Sequence, residues 1–214
     1  MMTRIMERGL TEIKDQETRT TNGTFEVRSN EDGSVTMVGY AAKFNTRSQD
    51  LGGFVETIAP GAFTRSLEEG ADVKALFNHD PNIVLGRSTA GTLRLSQDGI
   101  GLRYEVDLPN TTAGRDLAIS LERGDINQSS FAFRAIDQDW SFDADGRDLR
   151  TLKDLELRDV SPVTYPAYLD TDSGIAQRSL NAAREARTPK PNLRAMEIEG
   201  MALSNALETI EIGD

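Results

Sequence analysis

The feature that most constrains this 214-residue chain is a run of short β-type segments between Thr24 and Leu108, punctuated by turn signals. The segments are Thr24–Arg28, Val35–Phe44, Phe54–Ile58, Val73–Asn78, Thr92–Leu95 and Leu102–Leu108. Between them lie Asn30-Glu-Asp-Gly33, Asp50-Leu-Gly-Gly53 and Asp98-Gly99, residue types that take the backbone angles a tight turn needs. Regular spacing of this kind predicts a barrel or sandwich. Two segments break the pattern as helices. Gly61–Glu69 is stopped by Gly70, and Ala113–Arg123 is capped by Thr111 or Thr112, ended by Gly124 and carries Leu117 and Leu121 as its buried stripe. Strand-like sequence resumes at Asn127–Ile136, turns at Asp143-Ala-Asp-Gly146 and runs from Leu149 to Val160.

The flanks read differently. Residues 1–22 are polar without a sustained period and are expected to be a flexible N-terminal arm. A compact domain then spans 23–172. Residues 173–194 hold Arg178, Arg184, Arg187, Lys190 and Arg194 against the single acid Glu185, and Pro189 and Pro191 oppose a helix, so an exposed linker is expected. From 195 to 214 the charges are all acidic, and Met196, Leu203, Leu207 and Ile210 recur at near-helical spacing, which predicts a C-terminal amphipathic helix.

Composition removes whole classes of function. With no Cys and one His, the chain has neither a thiolate nucleophile nor the usual zinc ligands, so any metal would need carboxylates alone, and none is expected. A net charge of −11 repels phosphate backbones, so no nucleic-acid partner is expected. No apolar run reaches the length needed to span a bilayer, and Glu7, Glu12 and Asp15 interrupt any signal-like stretch; a soluble, cytoplasmic protein with protein partners is expected.

The only imidazole, His79, is the natural candidate for a general base, because its ordinary pKa of about 6.5 suits proton exchange near neutrality. As a strand, Val73, Ala75, Phe77 and His79 share one parity, which sends the ring to the more apolar side. The plain alternative is a half-buried His at a strand end before an Asp-Pro turn. A nucleophile must then be a hydroxyl, and Ser129 and Ser130 stand out. On a strand Ser129 follows Phe131 and Phe133 into the core, whereas Ser130 faces away with the small Ala132, leaving room for a peptide. Two serines that merely satisfy strand-end hydrogen bonds are the alternative. Asp159 shares parity with Leu155 and Leu157, and a carboxylate on an apolar parity needs a partner, which His79 could supply. Arg158, another Arg or solvent could also serve, and Asp80 and Glu156 are weaker candidates for a third triad member.

At these residues the chain resembles the prohead serine proteases of tailed bacteriophages. The resemblance covers roughly 24–170 in ordered blocks: Gly39-Tyr-Ala-Ala-Lys-Phe-Asn45, Gly53-Phe-Val-Glu-Thr-Ile-Ala-Pro-Gly-Ala-Phe63, Ala75-Leu-Phe-Asn-His-Asp-Pro81 leading to Leu85-Gly-Arg87, Gly91-Thr-Leu-Arg-Leu95, Ser129-Ser-Phe-Ala-Phe133 and Asp159-Val-Ser-Pro-Val-Thr-Tyr-Pro-Ala167. It implies His79, Ser130 and Asp159 as the catalytic residues. Two positions depart from the family pattern: Ser129 where an apolar residue is common, and Ala132 where Gly is common. The resemblance implies a fold mainly of β-strands with flanking helices (α+β), a largely antiparallel β-barrel of the herpesvirus assembly-protease type. It also implies a capsid-maturation serine endopeptidase working without cofactor inside the assembling prohead, in the bacterial host cytoplasm. Its substrates would be scaffold protein or the scaffold domain of the major capsid protein, and itself, with self-cleavage expected between Arg178 and Arg194. A homodimer is expected from relatives of the fold and from the apolar terminal stripe. Two rival readings are a catalytically inactive scaffold or capsid-binding module, and a small-molecule esterase or amidase. The latter is opposed by Gln128 and Ala132, which stand where a Gly-x-Ser-x-Gly elbow needs glycines.

Overall fold

The computed structural model describes residues 16–165 and 169–188. Among the described residues ten strands carry the fold: β1 (Glu17–Asn22), β2 (Glu26–Ser29), β3 (Val35–Lys43), β4 (Phe54–Ile58), β5 (Lys74–Phe77), β6 (Asp80–Arg87), β7 (Leu93–Gln97), β8 (Gly101–Leu108), β9 (Gln128–Phe142) and β10 (Asp148–Val163). The helices are α1 (Thr64–Glu68), α2 (Thr112–Glu122) and α3 (Leu169–Arg187). The chain divides into two compact units, residues 1–178 and 179–214, and every described strand lies in the first.

The architecture is mostly β with a few helices, as expected, but the described strands do not close into a barrel. They form a six-stranded sheet in the order β1-β9-β10-β5-β6, with β4 also on β10, and a four-stranded sheet in the order β2-β3-β8-β7. Closure requires the two ends of a sheet to hydrogen-bond each other. Here β1 and β6 end one sheet, and β2 and β7 end the other.

Alternation along the strands builds the core. Phe131 and Phe133 stack with ring centroids 5.0 Å apart, and Phe63 meets Phe131 edge-on at 5.6 Å. With Val160, Leu157 and Leu155 from β10 they join Met37, Leu102, Tyr104 and Val106 from the second sheet. Strand β10 organises the larger sheet. Antiparallel β9 runs along one edge, and parallel β4 and β5 share the other. Between those two, α1 fills the gap: the Leu157 N–H donates to Ser66 Oγ at 3.1 Å. Helix α2 matches its sequence reading, with Thr111 Oγ1 accepting from the Gly114 N–H and Leu117, Ala118 and Leu121 buried.

Four boundaries are corrected. Residues 17–22 belong to no flexible arm: they form an edge strand antiparallel to β9. Polar composition misleads there because Glu17, although fully buried, is neutralised by Arg150, a partner far along the chain. The stretch 173–194 is helical through Arg187 instead of being an extended linker. Its Ala, Gln, Leu, Arg and Glu residues are good helix formers, and the prolines at 189 and 191 stand beyond its end. Strand β6 escapes a sequence reading because Asp80-Pro81-Asn82 looks like a turn; proline is tolerated there because β6 is an edge. Strand β9 runs on to Phe142, well past Ile136. The expected helix at 195–214 lies outside the described residues.

One glycine tests the inter-strand packing. Gly101 opens β8 opposite Lys43, and a Cβ placed there would overlap the Ala42 carbonyl oxygen. Gly101→Ala is therefore expected to cost about 1–3 kcal/mol, lowering the midpoint of thermal unfolding by roughly 3–10 °C in calorimetry.

Candidate active site

The two serines of β9 separate as their parity predicts. Ser129 points into the core, where its Oγ lies 2.5 Å from the Tyr104 hydroxyl. Burial holds the Tyr104 phenol well above its ordinary value, with the bond to Ser129 pulling the other way, so the tyrosine stays neutral. Ser130 faces the opposite side of the sheet, and its Oγ lies 2.7 Å from His79 Nε2.

His79 reaches that position from a turn, which corrects the strand parity read from sequence. Phe77 and Asp80 are paired across the β5–β6 hairpin, leaving Asn78 and His79 as a two-residue loop with φ of 54° and 57°. Positive φ at both central residues is the pattern of a type I′ turn, which twists in the sense the flanking strands require. Asn and His are among the residues that tolerate this region best. Asn78 also pins the turn to the end of β10. Its N–H donates to the Pro162 carbonyl at 3.1 Å, its Oδ1 accepts from the Thr164 N–H at 2.8 Å, and its Nδ2 donates to Thr164 Oγ1 at 3.2 Å. Sequence reasoning passed over Asn78 and Thr164. No local signal marks the turn, since His79 stands where a two-residue hairpin usually has Gly and Asp80-Pro81-Asn82 follows in place of an apolar run.

Asp159 arrives by a second device. From Leu157 to Asp159 on β10 the partner advances only from Phe133 to Ala132, so Arg158 is the extra residue of a β-bulge. The bulge reverses the alternation: Leu157 and Val160 face the core, while Asp159 and Ser161 join Ala132 and Ser130 on the other face. The apolar parity assigned to Asp159 from sequence is thus overturned, because a one-residue bulge re-aims every later side chain. Asp159 Oδ1 lies 2.6 Å from His79 Nδ1. With Nδ1–H donating to that carboxylate, Nε2 is left as acceptor for the Ser130 hydroxyl, the tautomer that base catalysis needs.

The weaker acid candidates are engaged elsewhere. Asp80 Oδ1 accepts from the N–H and side-chain amide of Asn82, and Glu156 pairs with Arg134 and Arg158. The space expected beside Ser130 is not open: Ser130 and Ala132 are both fully buried. Of the three groups, the His79 side chain has the greatest contact with solvent, at 22% exposed. Among the described residues no cluster of three or more His, Cys, Asp or Glu is placed to hold a metal, and no helix is long and apolar enough to cross a membrane.

Known proteins are similar in sequence to this chain over most of its length. It is 25% identical over 187 residues to the prohead protease of Escherichia phage T5, covering 81% of this chain and 83% of that one. It is 28% identical over 141 residues to the prohead protease of Enterobacteria phage HK97, covering 64% of this chain and 57% of that one. The solved structure of the bacteriophage T4 capsid assembly protease aligns with a TM-score of 0.46 at 11% identity, over 70% of this chain and 97% of that one. The profile of the family described as caudovirus prohead serine protease matches residues 23–186. That match takes in both sheets apart from β1, and with it the chain belongs to the caudovirus prohead serine protease family.

Proposed function

We propose that this chain is a capsid-maturation endopeptidase that cleaves scaffold segments of the capsid precursor, and itself, inside the assembling prohead in the host cytoplasm. The observation that carries the reading is His79 bonded at once to Ser130 and Asp159, at 2.7 and 2.6 Å. Ser130 is the nucleophile. As its Oγ attacks a peptide carbonyl carbon, His79 Nε2 takes the hydroxyl proton and then delivers it to the departing amine, leaving an acyl-enzyme. The same imidazole deprotonates the water that releases the acyl group. Asp159 orients the ring and stabilises the imidazolium. The reading also carries the homodimer expected from the stripe Met196, Leu203, Leu207 and Ile210.

The test is co-expression of the full chain with the capsid precursor and scaffold protein of the same phage, followed by intact-mass measurement of the assembled particles. Wild-type protein is expected to shorten precursor or scaffold, whereas His79→Ala enters particles and leaves every chain full length. Particles that contain wild-type protein but only uncut chains would instead identify a binding module without proteolytic activity.

A further inference from the structure

One buried hydroxyl beside the site has no part in the mechanism above. Ser161 is fully buried on β10, directly opposite Ser130 in the antiparallel register with β9. Its Oγ lies 3.1 Å from Asp159 Oδ1 and 3.4 Å from His79 Nδ1. The geometry decides between these neighbours. His79 Nδ1 is only 2.6 Å from Asp159 Oδ1, so its proton belongs to that bond. The Ser161 hydroxyl is then left to donate to the carboxylate, which can only accept.

We propose that Ser161 is a positioning residue, whose hydroxyl donates to Asp159 Oδ1 and holds that carboxylate in line with His79 Nδ1. The proposal rests on the reading of His79, Ser130 and Asp159 given above. It follows from the bulge at Arg158, which turns Asp159 and Ser161 to the same face two residues apart, so that one strand supplies both the carboxylate and its brace. Two donors converge on Oδ1, and the only one anchored on β10 itself is Ser161. Without it, the hydrogen bond left on Asp159 Oδ1 is the one from the imidazole, the group the carboxylate is meant to orient.

A substrate of known sequence is unnecessary for the test, because a fluorophosphonate reports activation of the serine directly. The full chain and its Ser161→Ala, Ser161→Thr and Ser130→Ala variants are compared by the second-order rate of fluorophosphonate labelling. In parallel, the downfield proton resonance of the imidazole Nδ1–H is recorded; with one His in the chain it has a unique source. Hydrogen bonds to charged groups are worth roughly one power of ten in rate when lost, so Ser161→Ala is expected to label about tenfold more slowly. It is also expected to shift or broaden the imidazole resonance, and Ser161→Thr, which keeps the hydroxyl on a strand, to restore both. A Ser161→Ala protein that labels at the wild-type rate with an unmoved resonance overturns the proposal. So does one that labels slowly with an unmoved resonance and a lowered unfolding temperature, since that is the mark of a purely structural hydroxyl. Undiminished labelling of Ser130→Ala would instead remove the underlying reading and the positioning role with it.

Discussion

Ser130→Ala is expected to lower the rate of precursor cleavage by about 10⁶-fold while the folded structure persists, since loss of a triad nucleophile leaves only binding and electrostatic stabilisation. The substitution removes one oxygen from a fully buried site whose neighbours, Ala132 and Ser161, are equally enclosed. Circular dichroism and the unfolding midpoint should therefore change little. Ser129→Ala is the matched control. Its hydroxyl is engaged with Tyr104 in the core on the other side of the sheet, so its loss is expected to cost about 1 kcal/mol of stability and to leave cleavage within a few-fold of wild type. Peptide mapping after fluorophosphonate treatment reads the same distinction chemically, with the adduct on Ser130 in both wild type and Ser129→Ala. An adduct on Ser129, or full cleavage by Ser130→Ala, would remove Ser130 from the mechanism.

The second large effect concerns stability and arises at Arg150, which is fully buried on β10. Its guanidinium grips Glu17 through two bonds, Nη1 to Oε2 at 2.6 Å and Nη2 to Oε1 at 2.9 Å. Nη1 also donates to Glu56 Oε2 at 2.9 Å, and Nε donates to Gln138. Arg19 completes the group by donating to both carboxylates, so two cations balance two buried anions. Arg150→Met keeps much of the volume and strands one negative charge in the interior. A stability loss of about 3–5 kcal/mol is expected, read as a fall of about 10 °C in the unfolding midpoint.

The pH dependence follows from Glu17. Burial alone would raise its carboxyl, but the hydrogen bond and charge of Arg150, with Arg19 adding to them, hold it below its ordinary value of 4.5. A group depressed on folding stabilises the protein above its unfolded pKa, and that contribution fades as pH falls through the folded value. In Arg150→Met, Glu17 loses its main counter-ion while burial remains, so its carboxylate gains from protonation instead. The gap between wild type and variant is therefore expected to narrow below pH 4.5, and a gap that stays constant from pH 7 to pH 3 would show that the lost interaction is not ionic. The network matters to the site because it anchors β1, whose Thr20 is the cross-strand neighbour of Ser130.

The sequence by itself singled out the candidates for the base and the nucleophile. A chain with one imidazole has one candidate base, and alternation over five residues of β9 separates Ser130 from Ser129, because facing is a local property of an unbroken strand. Helix α2 was legible for the same reason, its cap, stripe and terminal glycine all lying within fourteen residues. Tertiary structure decided how those identities meet. His79 approaches Ser130 from a left-handed turn held by the far end of β10, and Asp159 faces it because a bulge reverses the parity its neighbours imply. Glu17, Arg19, Glu56 and Arg150 look like surface residues in sequence, yet Glu17, Glu56 and Arg150 are buried and Arg19 is largely enclosed because each supplies the charge another needs. A bulge shows only against its partner strand, and burial of a charge depends on its counter-ion; in both cases the deciding group is remote in the chain, so no local pattern encodes the outcome.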